Sequence, residues 1–214
     1  QIGEFQGERP EIAESIAEAG EKGLAQAVDI CTPHCFHHEN AMEALSNGLD
    51  AMVEKPVGLT RQATLDMIEA SRKSGKILAT GENIRRFQTA RACSWAITER
   101  KLIGDVWAVD VNFKKNQEFD LTDPKWKWRS VRLLTGGGMI IDGGVHTSDM
   151  MIYLFGEPEE VYCDTRILRP GKMTDVPLVG DAEVDVEDEW HAVIRFKNNV
   201  RMTWNYSRLC PGEN

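Results

Sequence analysis

The chain has 214 residues, with 25 Lys and Arg against 34 Asp and Glu, for a formal net charge of -9. That balance excludes nucleic-acid binding by phosphate neutralisation, which needs a basic face, and it speaks against an anionic membrane surface while leaving room for a local basic pocket. With 42% hydrophobic and 28% charged residues and five cysteines outside any disulfide-framework spacing, the composition is that of a globular protein with reduced thiols in the cytoplasm. No run approaches the ~20 apolar residues of a membrane span, and the first residues lack a signal peptide's layout.

Residues 8 to 26 are rich in Glu and Ala, and Ile12, Ile16 and Ala19 fall at helical spacing. Ala27 to Cys31 reads as a buried strand stopped by Thr32-Pro33. A helix is predicted over 38 to 47, ending at Gly48, and a second short strand over Ala51 to Val53, ending in Glu54-Lys55-Pro56. Thr60 caps a helix that runs to Ser74 and stops at Gly75, and Lys76 to Thr80 is a third strand. Three strand–helix units in succession imply a parallel sheet with helices on its faces.

The pattern changes after residue 83. A helix is predicted over 88 to 101 and an alternating strand over Val106 to Phe113. Residues 116 to 137, polar and Gly-rich, read as a long loop. A helix follows Gly144, running through Met150, Met151 and Leu154 to Gly156. Strands are expected at Glu160 to Leu168, Glu189 to Phe196 and Val200 to Tyr206, the last two joined by a hairpin-like turn at 197–199. The charge-rich stretch Asp181 to Glu189 reads as a solvated loop. The fold class expected is α/β: a partial Rossmann-type parallel sheet domain over 1–82, then an α+β domain over 83–214 with an open, largely antiparallel sheet. Trp107, Phe113, Trp190 and Trp204 are the large residues of those later strands. If some lie on an uncovered face, they predict a homo-dimer or tetramer through that sheet.

Three stretches carry candidate chemistry. Ligands of open parallel sheets bind beyond the carboxyl ends of the strands, where Thr32-Pro33 with His37 and Glu54-Lys55-Pro56 both fall. A lysine at a strand end is open to partial desolvation and proton transfer; the competing reading is a solvated loop lysine. Pro56 is a candidate cis residue. The third stretch is Gly136-Gly137-Gly138, then Asp142, His146 and Asp149. A carboxylate beside an imidazole fixes its tautomer and raises its basicity, and glycines let backbone approach a ligand. The competing reading makes Asp142 a helix cap and His146 a satisfied helix histidine. Trp126, Trp128 and Arg129 suit stacking on sugar rings and donating to hydroxyls, or plain loop packing. The Cys31 to His38 segment has zinc-like residue types at poor spacing, so no metal is expected.

Together these residues resemble the Gfo/Idh/MocA oxidoreductase family, named for glucose–fructose oxidoreductase and inositol dehydrogenase. The likeness rests on Cys31-Thr32-Pro33 with His37, Glu54-Lys55-Pro56, Arg85-Arg86-Phe87, and Gly136-Gly137-Gly138-x-x-x-Asp142-x-Gly144-x-His146-x-x-Asp149, in that order. It runs from about residue 20 to 206. The resemblance implies an NAD or NADP cofactor and a sugar or polyol substrate. It makes Lys55 the residue touching both, and Asp142 and His146 the residues that position the substrate and move its proton. Thr32, Pro33, His37 and Glu54 would lie along the dinucleotide, Asn83 and Ile84 near the nicotinamide, and Trp128 and Arg129 on the substrate. It also implies that Lys55 and His146 serve one crevice. The family's opening strand, G-x-G-x-x-G turn and cofactor selector have no counterpart after Gln1, nor its last strands before Asn214. The expectation is a longer native chain, or one that grips its dinucleotide weakly. The alternatives are a dinucleotide-sensing regulator on the same scaffold, a redox-assisted glycosidase or lyase, and, more remotely, a metal-binding protein.

Overall fold

The structure, a computed structural model, describes residues 10–116 and 120–210. The chain divides into two compact units, Gln1–Gly81 and Glu82–Asn214.

In the first unit α1 (Ile16–Glu21) starts at Ser15, whose hydroxyl accepts from the Glu18 amide at 3.0 Å. It is shorter than expected. Gly23 takes a left-handed φ of +64° and ends the helical register, and Ile12 stands 88% exposed ahead of it; residues 8 and 9 lie outside the described residues. Strands β1 (Ala27–Ile30), β2 (Asp50–Val53) and β3 (Leu78–Thr80) form a parallel sheet in that order. Between them run α2 (His37–Ser46) and α3 (Arg61–Ser74). Thr60 caps α3 by accepting from the Ala63 amide at 3.1 Å, and Gly75 leaves it at φ +70°. Ile30, Ala51 and Val53 bury against Ala41, Ala44, Leu45 and Met67. Asp29 and Met52 alternate to the other face and are exposed. So helices cover one face of this sheet, not both, among the described residues.

In the second unit α4 (Gln88–Ser94) widens into a π turn over Trp95–Glu99 and stops before residue 101. The expected loop at 116–137 contains short helices instead. These are α5 (Pro124–Lys127), capped by Asp123, a 3-10 turn at Trp128–Ser130, and α6 (Arg132–Thr135), closed by Gly136 at φ +78°. Each is a single turn, too short to show periodicity. Then come α7 (Met139–Asp142) and α8 (Gly144–Phe155).

Strands β4 (Ala108–Lys114), β5 (Pro158–Arg166), β8 (Glu189–Phe196) and β9 (Arg201–Ser207) form a sheet ordered β4-β9-β8-β5. β4 runs parallel to β9; the other two pairs are antiparallel. A separate hairpin joins β6 (Lys172–Val176) to β7 (Gly180–Glu183). It replaces part of the loop expected at 181–189, because charged residues on a two-stranded ribbon read as a solvated segment. Trp190, Phe196, Met202, Trp204 and Tyr206 bury together with Met151, Leu154 and Phe155 of α8. Trp190 and Trp204 therefore sit in the core, and Phe113 shares their face by register. The opposite face carries Asp110, Asn112, His191, Thr203 and Asn205, with Tyr162 and Val193 as its exposed apolar members. Of the four large residues named from the sequence, Trp190 and Trp204 are core, Phe113 is 45% exposed on their face, and Trp107, just ahead of β4, is 81% exposed. No helix among the described residues is long and apolar enough to cross a membrane.

Candidate functional site

In the first unit the strand ends carry the groups the sequence singled out. Thr32 and Pro33 follow β1, and Glu54 and Lys55 follow β2, with Lys55 half-buried and its bond to Pro56 cis. The Lys55 amide donates to its neighbour's carboxylate, Glu54 Oε2, at 3.1 Å. His37 is wholly buried. Its Nδ1 lies 2.8 Å from the Pro56 carbonyl and its Nε2 2.9 Å from the Thr32 carbonyl. The ring thus ties the two strand-end turns together from behind, and a neutral ring donates to one of the two carbonyls at a time. The ring sits inside the wall that joins the two turns. After β3, a Cβ placed on Gly81 would stand 3.1 Å from Glu54 Oε1 and 3.4 Å from Glu54 Cα. The bare glycine keeps that edge open. A hydroxyl, a carboxylate and an amine at consecutive strand ends suit the ribose and nicotinamide half of a dinucleotide. No glycine-rich pyrophosphate turn lies among the described residues of this unit.

In the second unit two polar clamps fix the segment after β3 to α8. The Glu82 carboxylate, with 7% of its side chain exposed, meets His146 Nδ1 at 2.8 Å through Oε2 and 3.0 Å through Oε1. Glu82 Oε1 also accepts from the Ile84 amide at 2.9 Å. One turn further, Arg85 Nε donates to Asp149 Oδ2 at 2.6 Å, with a second contact between its terminal nitrogen and Oδ1. Residues 82 and 85 thus match 146 and 149, and both pairs are three apart. That spacing explains His146-x-x-Asp149 as a helix face. Sequence reading placed Asp142 or Asp149 beside His146; the partner is Glu82, which it passed over. Only proximity to Asn83–Ile84 pointed there.

Asp142 closes α7, and Arg129 Nε lies 3.4 Å from its Oδ2, with 16% of the Asp142 side chain exposed. It does not cap α8, which begins at Gly143–Gly144 without a side-chain cap. The Arg129 guanidinium stacks on Trp128 at 4.3 Å and Trp126 at 5.5 Å and donates to the Lys125 carbonyl at 2.8 Å. The tryptophans hold the arginine flat beside Asp142. Two of the glycines are required by packing. A Cβ on Gly138 would lie 2.0 Å from the Glu187 carbonyl oxygen, and one on Gly144 would lie 2.9 Å from the Trp204 ring.

His146 opens on a cavity of about 330 Å³ that Ile84, Phe113, Lys115, Thr147 and Tyr206 also line. That volume lies in the range of small-molecule sites, about 300–1,000 Å³. Phe113, Tyr206 and Trp190 form a stack, with Phe113 on Tyr206 at 5.6 Å and Tyr206 on Trp190 at 4.1 Å, both pairs nearly coplanar. Burial pushes the Tyr206 hydroxyl up to about 12, so it stays a neutral phenol at ordinary pH. Flat aromatic walls beside a carboxylate-backed imidazole suit a sugar, which offers C–H faces and hydroxyls together. Sequence reading missed Phe113 and Tyr206 as site residues and read Phe113 only as a sheet residue. Asn83 is exposed, next to this cavity in sequence. Among the described residues no three His, Cys, Asp or Glu side chains are placed to hold a metal.

Residues 94–214 match the model of the GFO/IDH/MocA C-terminal domain. The chain belongs to the Gfo/Idh/MocA family. Residues 7–82 match that family's other part, described as an oxidoreductase family with an NAD-binding Rossmann fold. Among curated relatives, the D-glucoside 3-dehydrogenase of Escherichia coli K12 is 29% identical over 175 residues, covering 80% of this chain and 48% of the relative. The levoglucosan dehydrogenase of Pseudarthrobacter phenanthrenivorans is 28% identical over 198 residues, covering 87% and 50%. A solved levoglucosan dehydrogenase in complex with NADH and levoglucosan superposes with a TM-score of 0.82 at 25% identity, over 99% of this chain and 55% of that one. This Gfo/Idh/MocA chain thus spans about half the length of the curated relatives it matches.

Proposed function

We propose that the chain works as an NAD(P)-dependent oxidoreductase that oxidises a hydroxyl of a sugar, polyol or glycoside. The observation that carries this is the Glu82–His146 pair opening on an aromatic-walled cavity of about 330 Å³. The Glu82 carboxylate accepts a hydrogen bond from the His146 Nδ1–H, which leaves Nε2 as the basic nitrogen. His146 and Lys55 handle the hydroxyl proton, while Asp142, Arg129 and Trp128 orient the substrate. When bound, the nicotinamide supplies the hydride acceptor. Thr32, Pro33, Glu54, Asn83 and Ile84 lie along the dinucleotide, and His37 keeps the two turns in place behind it. The sugar dehydrogenases among its relatives support the substrate class.

A dinucleotide-sensing protein would have no use for a buried carboxylate backing an imidazole, which favours the enzyme. The test is a panel of aldoses, glycosides and inositols offered with NAD and with NADP, followed by the near-ultraviolet absorbance of the reduced nicotinamide. Reduction with at least one sugar is expected. Dinucleotide binding without reduction by any member of the panel would favour the sensor. Product analysis separates simple oxidation from the glycosidase or lyase course. Self-association is proposed through the outer face of β4-β9-β8-β5, around Tyr162 and Val193; light scattering that gives a monomer at micromolar concentration would exclude it.

A further inference from the structure

Lys115 follows β4 directly and lines the cavity of about 330 Å³ from the sheet side, while His146 and Thr147 line it from α8. Its backbone is fixed on both sides. The Lys115 amide donates to the Ser207 carbonyl at 2.9 Å, and the Lys115 carbonyl accepts from the Cys210 amide at 3.1 Å. The ammonium lies 4.7 Å from the centre of the Phe113 ring. That ring is the exposed end of the stack whose inner members, Tyr206 and Trp190, are buried. The lysine is therefore tied to the aromatic wall by its backbone and by its tip.

No Asp or Glu side chain lines this cavity, and Lys115 forms no ion pair among the described residues. The acids of the site are engaged elsewhere, Glu82 with His146 and Asp142 with Arg129. In a chain with 34 Asp and Glu against 25 Lys and Arg, a cation placed on a cavity wall without an acid is a departure from the general balance. The Phe113 quadrupole attracts the ammonium but carries no net charge. Lys115 is exposed, so water hydrates it while the cavity is open. A ligand that fills the cavity displaces part of that water, and what it offers in return sets its affinity. A neutral hydroxyl returns an ordinary hydrogen bond, whereas a carboxylate or phosphate oxygen returns a charge-assisted one roughly twice as strong.

We infer that Lys115 is a specificity-determining residue, and that the sugar taken by this cavity carries an anionic substituent, a carboxylate or a phosphate, held at Lys115 while the reacting hydroxyl meets His146. The inference rests on the sugar-oxidoreductase reading and narrows its substrate class. A pyranose laid with its C–H face along Phe113 and Tyr206 brings a substituent at its edge to the ammonium that sits over the same wall. The ammonium is a flexible point charge with three donors, so it accepts either acid group.

The test is calorimetric titration of the full chain, with and without dinucleotide, using glucose, glucuronate, glucose 6-phosphate and inorganic phosphate. At least one of the two sugar acids is expected to bind about five- to tenfold tighter than glucose, with an advantage that shrinks as ionic strength rises. The tighter of the two identifies the group as carboxylate or phosphate. Lys115→Met keeps a flexible apolar side chain on the Phe113 ring and removes the charge; it is expected to bring both acids within about twofold of glucose. Lys115→Arg keeps the charge and is expected to keep the preference. The position is exposed, so both variants are expected to melt with the parent. Glucose binding as tightly as both acids overturns the anionic substrate and leaves the oxidoreductase reading standing. A preference that survives Lys115→Met overturns the assignment to Lys115. Inorganic phosphate binding as tightly as the preferred sugar acid overturns the sugar subsite in favour of a free-anion site. Binding of none of the sugars, charged or neutral, overturns the inference and the sugar reading together.

Discussion

Replacing Glu82 by Gln isolates what the carboxylate does for His146. The amide has nearly the same shape, and with its carbonyl at the Oε1 position it still accepts from the Ile84 amide at 2.9 Å and from His146 Nδ1 at 3.0 Å, while its NH2 takes the Oε2 position and can accept nothing. What disappears is the negative charge that stabilises the imidazole as it gains a proton. A hydrogen bond to a charged group is worth about 1.5–3 kcal/mol. With 7% of the Glu82 side chain exposed, solvent screening removes little of it. If that stabilisation is expressed only as the proton moves, kcat falls by roughly ten- to hundredfold, and KM stays within about twofold. Glu82→Ala, which also releases the Ile84 amide, is expected to cost more and to lower Tm. The assay is steady-state reduction of the nicotinamide with a responsive sugar, beside a thermal melt. Glu82→Gln with kcat within about twofold of the parent, while His146→Ala abolishes turnover, would refute the dyad. A rise in KM at unchanged kcat would reassign Glu82 to substrate binding.

Lys55→Ala is expected to lower turnover by about 10²–10⁴-fold with an unchanged circular dichroism spectrum, because a strand-end amine contributes chemistry rather than core packing; turnover near the parent level would remove Lys55 from the reaction. Gly138→Ala would set a methyl 2.0 Å from the Glu187 carbonyl oxygen. The clash costs about 3 kcal/mol, or roughly 6–12 °C in Tm for a chain of this size; a melt within about two degrees of the parent would contradict the packing role. Tyr206 is raised from 10.0 to about 12 by burial. The folded state therefore favours the neutral phenol, and the unfolded chain releases its proton first as pH rises. The sign follows: this stabilisation is complete below pH 10.0 and is lost as pH climbs towards about 12, about 2 to 3 kcal/mol in all. Urea unfolding on both sides of that window should show the loss in the parent and not in Tyr206→Phe.

The local grammar of the chain was legible without a structure. Thr60 and Gly75 bound a helix because a hydroxyl satisfies an orphan amide at one end and a Cβ-free residue turns left-handed at the other. The same reasoning placed three short apolar runs in a parallel sheet, the helix from Gly144 to Phe155, and strand β8 from Glu189 to Phe196. The single-turn helices at 124–135 and the β6–β7 hairpin were not legible, because segments that short carry no period. Nor did alternation alone say which face of β8 and β9 was covered; packing against α8 decided that Trp190 and Trp204 are core. The motif residues were named by order and spacing, but their partners were not. His146 pairs with Glu82 and Asp149 with Arg85, each across 64 positions, and Asp142 faces Arg129. Spacing within one helix says which side chains share a face, whereas the groups that meet that face come from distant segments. The amino-acid order therefore determined the elements and the candidate chemistry, and only tertiary packing decided which carboxylate backs the histidine and which glycines admit backbone.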